Sequence, residues 1–128
     1  MRSTLSSVEI KPGTTPIITA IVDGQAIQTA TVYLSIKQRH RLIVKSNFHD
    51  TGEVVLEPVY NTEGTEQIGT SITAQLTQLE TLCLTPGGAR IEAGWVFEDG
   101  TADKSNIGLI NISNTLYRQV MEYGKHSS

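Results

Sequence analysis

The chain has 128 residues, 38% of them hydrophobic and 18% charged, with a formal net charge of −3. This is the size and composition of one globular domain, which on folding buries roughly two-thirds of its unfolded surface. The ten Lys and Arg are scattered, which excludes the concentrated basic footprint of a nucleic-acid-binding surface.

In chain order, residues 7–11 alternate apolar and polar side chains and stop at the turn pair Pro12-Gly13. Residues 17–22 form a β-branched run ending at Asp23-Gly24, a tight-turn signal. In residues 31–37, Val32, Leu34 and Ile36 share one face while Tyr33 and Ser35 look the other way. Arg39-His40-Arg41 is then the tip of a hairpin, with residues 42–45 returning. Residues 47–52 read as polar loop and 53–57 as a short strand. Residues 60–69, from Tyr60 to Gly69, are rich in Asn, Thr, Glu and Gly and read as the least structured stretch, a loop or tip where an interaction would sit. Residues 71–76 resume strand character.

Thr77 followed by Glu80 is a capping box, in which each side chain satisfies an orphan N–H at a helix start. It predicts one or two helical turns crossing between sheets, stopped by Pro86-Gly87-Gly88. In residues 90–98, Ile91, Ala93, Trp95 and Phe97 lie on one face and Arg90, Glu92 and Glu98 on the other, which makes Trp95 a core residue. Asp99-Gly100 is a turn and residues 107–112 the last strand. Beyond it, Asn114 is a fair N-cap and Leu116, Val120 and Tyr123 fall at near-helical spacing, so residues 113–128 are expected to be a short helix or an assembly tail. About seven short strands without long helical crossovers predict an all-β sandwich or barrel in one domain spanning residues 1–128.

The chemistry-bearing residues do not assemble into a reactive motif. Cys83 is the single cysteine, which excludes an internal disulfide and a cysteine-built zinc site. Set between Leu82 and Leu84, it is expected to be a small buried apolar residue. His40, His49 and His126 have no second ligand at metal spacing and read as solvated. Glu98, Asp99 and Asp103 flank one turn, and Asp50 with Glu53 another; paired acids serve calcium or glycoside chemistry, but turns use the same residues. No nucleophile elbow, phosphate loop or dinucleotide fingerprint occurs. The expectation is a non-enzymatic chain with no cofactor and no metal. The basic group Arg39, His40 and Arg41, with Lys37 and Lys45 nearby, reads as a solvated tip or a rim contact to an acidic neighbour. Tyr33 and Tyr60 are the aromatics on which a carbohydrate face would rely. The start of the chain lacks the apolar stretch of a secretory signal, and no window approaches the roughly 20 apolar residues of a membrane helix. Neither a membrane partner nor export by a signal peptide is therefore expected.

Two stretches carry a family resemblance. Thr31-Val32-Tyr33-Leu34-Ser35-Ile36-Lys37-Gln38 resembles the "tvyltIkq" strand of small structural proteins from phages and prophages of Gram-positive gut bacteria, and Leu76-Thr77-Gln78-Leu79-Glu80-Thr81-Leu82 resembles their "LTQeETL" segment. Residues 11–16 are similar to their "rGtTPt" start, and the similarity runs in order through Pro86-Gly87, Ile91 to Trp95 and Asp99-Gly100. It departs at residues 60–69, which are longer, and beyond Ile112, where there is no counterpart. The resemblance implies an immunoglobulin-like sandwich of the kind found in baseplate N-terminal domains. It also implies a virion location (tail, baseplate or capsid surface, after synthesis in the host cytoplasm) and partners that are other virion proteins and copies of the chain itself. The interaction residues expected on that view are Arg39, His40, Arg41, Tyr60, Tyr117, Met121 and Tyr123. A carbohydrate-binding or adhesion module, taking a host-surface glycan, is the alternative.

Overall fold

Successive side chains on a strand point to opposite faces, so the period-two runs of this sequence each commit one face to a core. The computed structural model describes residues 3–5, 9–48 and 52–124; Ser7, Val8, His49, Asp50 and His126 lie outside the described residues. Among the described residues the strands are β1 (Ser3–Leu5), β2 (Glu9–Ile10), β3 (Ile17–Asp23), β4 (Thr31–Gln38), β5 (Arg41–Ser46), β6 (Val54–Tyr60), β7 (Gln67–Gln75), β8 (Gly87–Val96), β9 (Ala102–Lys104) and β10 (Gly108–Ile112), with one helix, α1 (Gln78–Leu82), between β7 and β8.

The strands form two sheets. One has the order β1-β3-β7-β6; the other has the order β2-β10-β8-β4-β5, with β9 extending the β10 side of β8. The opening of the chain is shared between them: β1 pairs antiparallel with β3 in one sheet, and β2 pairs parallel with the last strand, β10, in the other. Together with the antiparallel core strands, that order is an immunoglobulin-like β-sandwich. Ten described strands exceed the expected seven or so because two short edge pieces (β1 and β9) are held by their neighbours and not by their own pattern.

The core is where the committed faces meet. Val32, Leu34 and Ile36 of β4 and Ile91, Ala93 and Trp95 of β8 face Ile18, Ala20 and Val22 of β3 and Ile72 and Ala74 of β7, all buried. Trp95 is 3% exposed, as its strand pattern requires. Phe97 packs against the margin of this cluster. Gly69 marks the tightest backbone approach: a Cβ there would sit 2.7 Å from the carbonyl oxygen of Val22, so a larger residue would push β7 off β3.

Several expectations are corrected. The segment from Tyr60 to Gly69 is a defined hairpin end, not the least ordered stretch. Tyr60 belongs to β6 and Gln67 onward to β7, and Asn61 closes the tip, its Oδ1 accepting from the N–H of Thr65 (3.0 Å) and Glu66 (3.4 Å). Its polar composition reflects a side-chain-capped turn. Pro86-Gly87-Gly88 does not stop the chain ahead of β8, because Gly87 and Gly88 already pair with Ile112 and Asn111. Asp23-Gly24 does turn the chain at the end of β3, Gly24 with a φ of 75°, and the turn leads toward β4 in the other sheet. Residues 113–124 form no helix. Of their apolar residues Val120 lines a depression with Leu76 and Leu79, while Leu116 and Tyr123 stay 103% and 92% exposed, so the three do not share one buried face. Cys83 is exposed, not buried: it ends α1 as C-cap, while Leu84 takes the core position.

If these faces carry the stability, Ile72→Ala should cost about 2–5 kcal/mol, while Val55→Ala, on the outward face of β6, should cost less than about 1 kcal/mol. Urea unfolding followed by Trp95 emission measures both.

Candidate interaction surface

The strand registers fix two opposite ends of the sandwich. One end carries the β4–β5 tip, the 11–16 link, α1, the end of β10 and the tail that follows it. The other carries the 24–30 crossing, the 61–66 tip and the β8–β9 turn.

At the first end, α1 is a five-residue helix, too short to persist on its own propensity. It is held by its ties. Glu80 N–H donates to the Thr77 hydroxyl (3.1 Å) and Thr77 N–H to Glu80 Oε1 (2.8 Å), the capping box expected from the sequence. The same Oε1 takes the Lys45 ammonium at 2.8 Å. Lys45 is 7% exposed, so it points into the sandwich margin and does not belong to the basic tip with which its sequence position groups it. Thr81 is fully buried; its hydroxyl accepts from Gly13 N–H (2.9 Å) and lies 2.9 Å from Thr14 O, which pins the 11–16 link under the helix. Gln38, at the end of β4, accepts from Thr85 N–H (2.7 Å) and donates to Thr85 O (2.8 Å), fixing the path into β8.

The tail returns across this end. The Gln78 amide pairs with the backbone of Met121, donating to its carbonyl (2.9 Å) and accepting from its N–H (2.6 Å), and Arg118 donates to Leu84 O (3.0 Å). These bonds hold the backbone of the tail and leave its side chains outward: Tyr117, Met121 and Tyr123 are 58%, 52% and 92% exposed. Arg39, His40 and Arg41 are exposed at the same end, Arg39 with a positive φ of 55° at the tight two-residue connection. The structure thus gathers the basic tip and the tail at one end, and places Tyr60 at the opposite end on the other sheet.

A further surface was missed in the sequence: the outer face of the β10-β8-β4-β5 sheet. The registers lay out cross-strand rows there: Leu109, Arg90, Lys37 and Leu42; then Glu92, Ser35 and Val44; then Lys104, Gly94 and Tyr33. Leu42, Val44, Leu109 and the adjoining Ile107 are 60%, 42%, 79% and 57% exposed. Two adjoining depressions of about 650 and 290 Å³ share Ser35 and Glu92. The available signal was the apolar run Leu42-Ile43-Val44, which commits apolar side chains to both faces of one strand.

Asp99 Oδ1 accepts from Thr101 N–H (2.9 Å) and the Thr101 hydroxyl (2.6 Å), closing the turn after β8; these bonds hold its carboxyl below the usual range. Among the described residues no group of three or more His, Cys, Asp or Glu could hold a metal ion, and no helix is long and apolar enough to cross a membrane.

No protein-family model matches the chain, and no curated protein matches it. A solved structure of fibronectin(III)-like modules of CbhA from Clostridium thermocellum is similar at 17% identity and a TM-score of 0.46, over 90% of this chain and 99% of that one.

Glu80 supplies a pH test. Burial raises its pKa, but the Lys45 hydrogen bond, the Thr77 N–H and the Lys45 charge outweigh this and hold it below the ordinary glutamate value. A depressed carboxyl contributes stability that is present above its unfolded pKa, about 4.3, and lost as pH falls through the folded value. Glu80→Gln should therefore lower stability at pH 7 and flatten its decline below about pH 5, measured by urea unfolding across pH.

Proposed function

We propose that the chain is a non-catalytic assembly module, which on the sequence resemblance is a building block of a phage virion in the tail, baseplate or capsid surface, acting through protein–protein contacts. The observation that carries this reading is the tail, where Leu116, Tyr117, Met121 and Tyr123 are held outward on a backbone tied to α1 and Leu84. Aromatic and long apolar side chains displayed together in this way lose nothing on folding and gain by burial on a partner. Arg39, His40 and Arg41 at the same end supply a polar rim for such a contact.

The glycan reading has less support. Sugar platforms use exposed aromatic faces, and Trp95 is committed to the core. Tyr33 and Tyr60 lie on different sheets, so they do not make one platform.

Removing residues 114–128 tests the proposal. Ser113 N–H still bonds to Ile10 O (2.8 Å) and closes the last strand, so the truncated chain should keep its cooperative unfolding and shielded Trp95 emission while failing to enter assembled particles. Normal incorporation of the truncated chain would contradict it.

A further inference from the structure

The two ends of the sandwich differ in charge. The end with the 24–30 crossing carries Asp23, Glu63, Glu66, Glu98, Asp99 and Asp103, with Lys104 the one described base near it. At the opposite end stand Lys11, Lys37, Arg39, Arg41, Arg90 and Arg118. Among the acids there, Glu80 is paired with Lys45, and Glu9, Glu53 and Glu122 leave the balance positive. Each end also displays apolar side chains. The basic end has the tail residues Leu116, Tyr117, Met121 and Tyr123. The acidic end has Tyr60 and Ile68, both exposed, where Gly24 N–H donates to Ile68 O (2.8 Å).

We propose that copies of the chain stack end to end, the basic end of one seated on the acidic end of the next. The inference rests on the assembly reading and names the acidic neighbour that its basic rim takes. Charge decides the geometry. A two-fold contact through either end would present the same patch from both copies and so set like charges against each other, which is penalised. Only the contact between unlike ends brings the cations of one copy to the acids of another. Such a contact is heterologous, and it repeats until a ring closes or a fibre grows. It also lays the outward side chains of the tail against a surface that holds Tyr60 and Ile68, so apolar area is buried along with the paired charges. Four strands at about 4.8 Å spacing and two sheets about 10 Å apart, with their side chains, make an end of roughly 20 by 20 Å, or about 800 Å² over both copies. That is below the standard size of a specific interface. The contact is therefore weak in dilute solution, is loosened by salt, and gains from the many copies held together in a particle. Val44, midway along the sheet opposite Ser35, lies to the side of it.

The test is sedimentation equilibrium of the full chain at low ionic strength up to millimolar concentration, with Trp95 emission confirming that each variant is folded. Association that grows past the dimer with concentration, and that added salt weakens, is the expected result for the unmodified chain. Lys37→Glu, Arg39→Asp and Arg41→Glu together turn the basic end acidic and should weaken it about tenfold or more. Glu63→Lys, Glu66→Lys and Glu98→Lys together should do the same, although they invert the sign of the net charge without changing its size. An equimolar mixture of the two triple variants should restore association, because each offers the end that the other lacks. Val44→Glu should leave it unchanged. A chain that stays monomeric, one that stops at a dimer, association indifferent to salt, folded triple variants that do not rescue one another, or loss of association in Val44→Glu would each overturn the proposal. Loss of particle assembly on removing the tail would still stand after any of these results, so the two readings fail separately.

Discussion

One carboxylate oxygen joins the start of the helix to a strand of the far sheet. Glu80 Oε1 closes the start of α1 through Thr77 N–H and takes the Lys45 ammonium from β5. A cation turned into the margin of a sandwich is tolerable only with a partner that offsets its lost hydration, and a five-residue helix persists only if tertiary ties replace the turns it lacks. Each solves the other's problem. With α1 fixed, Thr81 holds the link between β2 and β3, and Gln38 with Thr85 sets where β8 enters its sheet. That entry point sets the β8 register on β4, and the register decides which side chains share each row of the outer face. Local capping chemistry therefore reaches the surface through strand register.

The same ties place the tail. Gln78 sits in the first turn of α1 and engages both backbone groups of Met121, so the backbone of the tail is satisfied while its apolar side chains remain displayed. Two apolar surfaces result, with different chemistry around them. The sheet face sets Leu42, Val44 and Leu109 among Lys37, Arg90, Glu92 and Lys104; the tail has a basic rim in Arg39, His40 and Arg41, which suits an acidic neighbour. On the proposed reading a module that attaches through such a displayed surface can be built into a larger particle without any reactive group.

What was legible in the sequence is what one face or one local bond decides. Val32, Leu34 and Ile36, and Ile91, Ala93 and Trp95, alternate strictly, and the core accepts them as written. Thr77 and Glu80 satisfy each other within one turn, so the crossover needed no knowledge of the fold. What was not legible depends on distant partners. Gly87 and Gly88 look like a turn but belong to a ladder whose other strand lies at Asn111 and Ile112. Lys45 looks like part of a basic tip until Glu80 arrives across the sandwich. Leu116, Val120 and Tyr123 have helical spacing but no core face to meet, so spacing alone does not make the helix. Cys83 has apolar neighbours in sequence, yet the end of α1 turns it out and Leu84 in. The outer face was hidden for a related reason: Leu42, Val44, Ile107 and Leu109 are scattered in the chain and come onto one face only once four strands and a loop are in register.

The claim that most needs direct observation is that the tie between α1 and the tail displays an attachment surface that the folded sandwich does not itself require. Purified particles made with the chain lacking residues 114–128 read this directly, with urea unfolding followed by Trp95 emission reporting the fold. A truncated chain that unfolds cooperatively but is missing from particles is the expected result. Normal incorporation of the truncated chain, or loss of the fold with the tail, would contradict it.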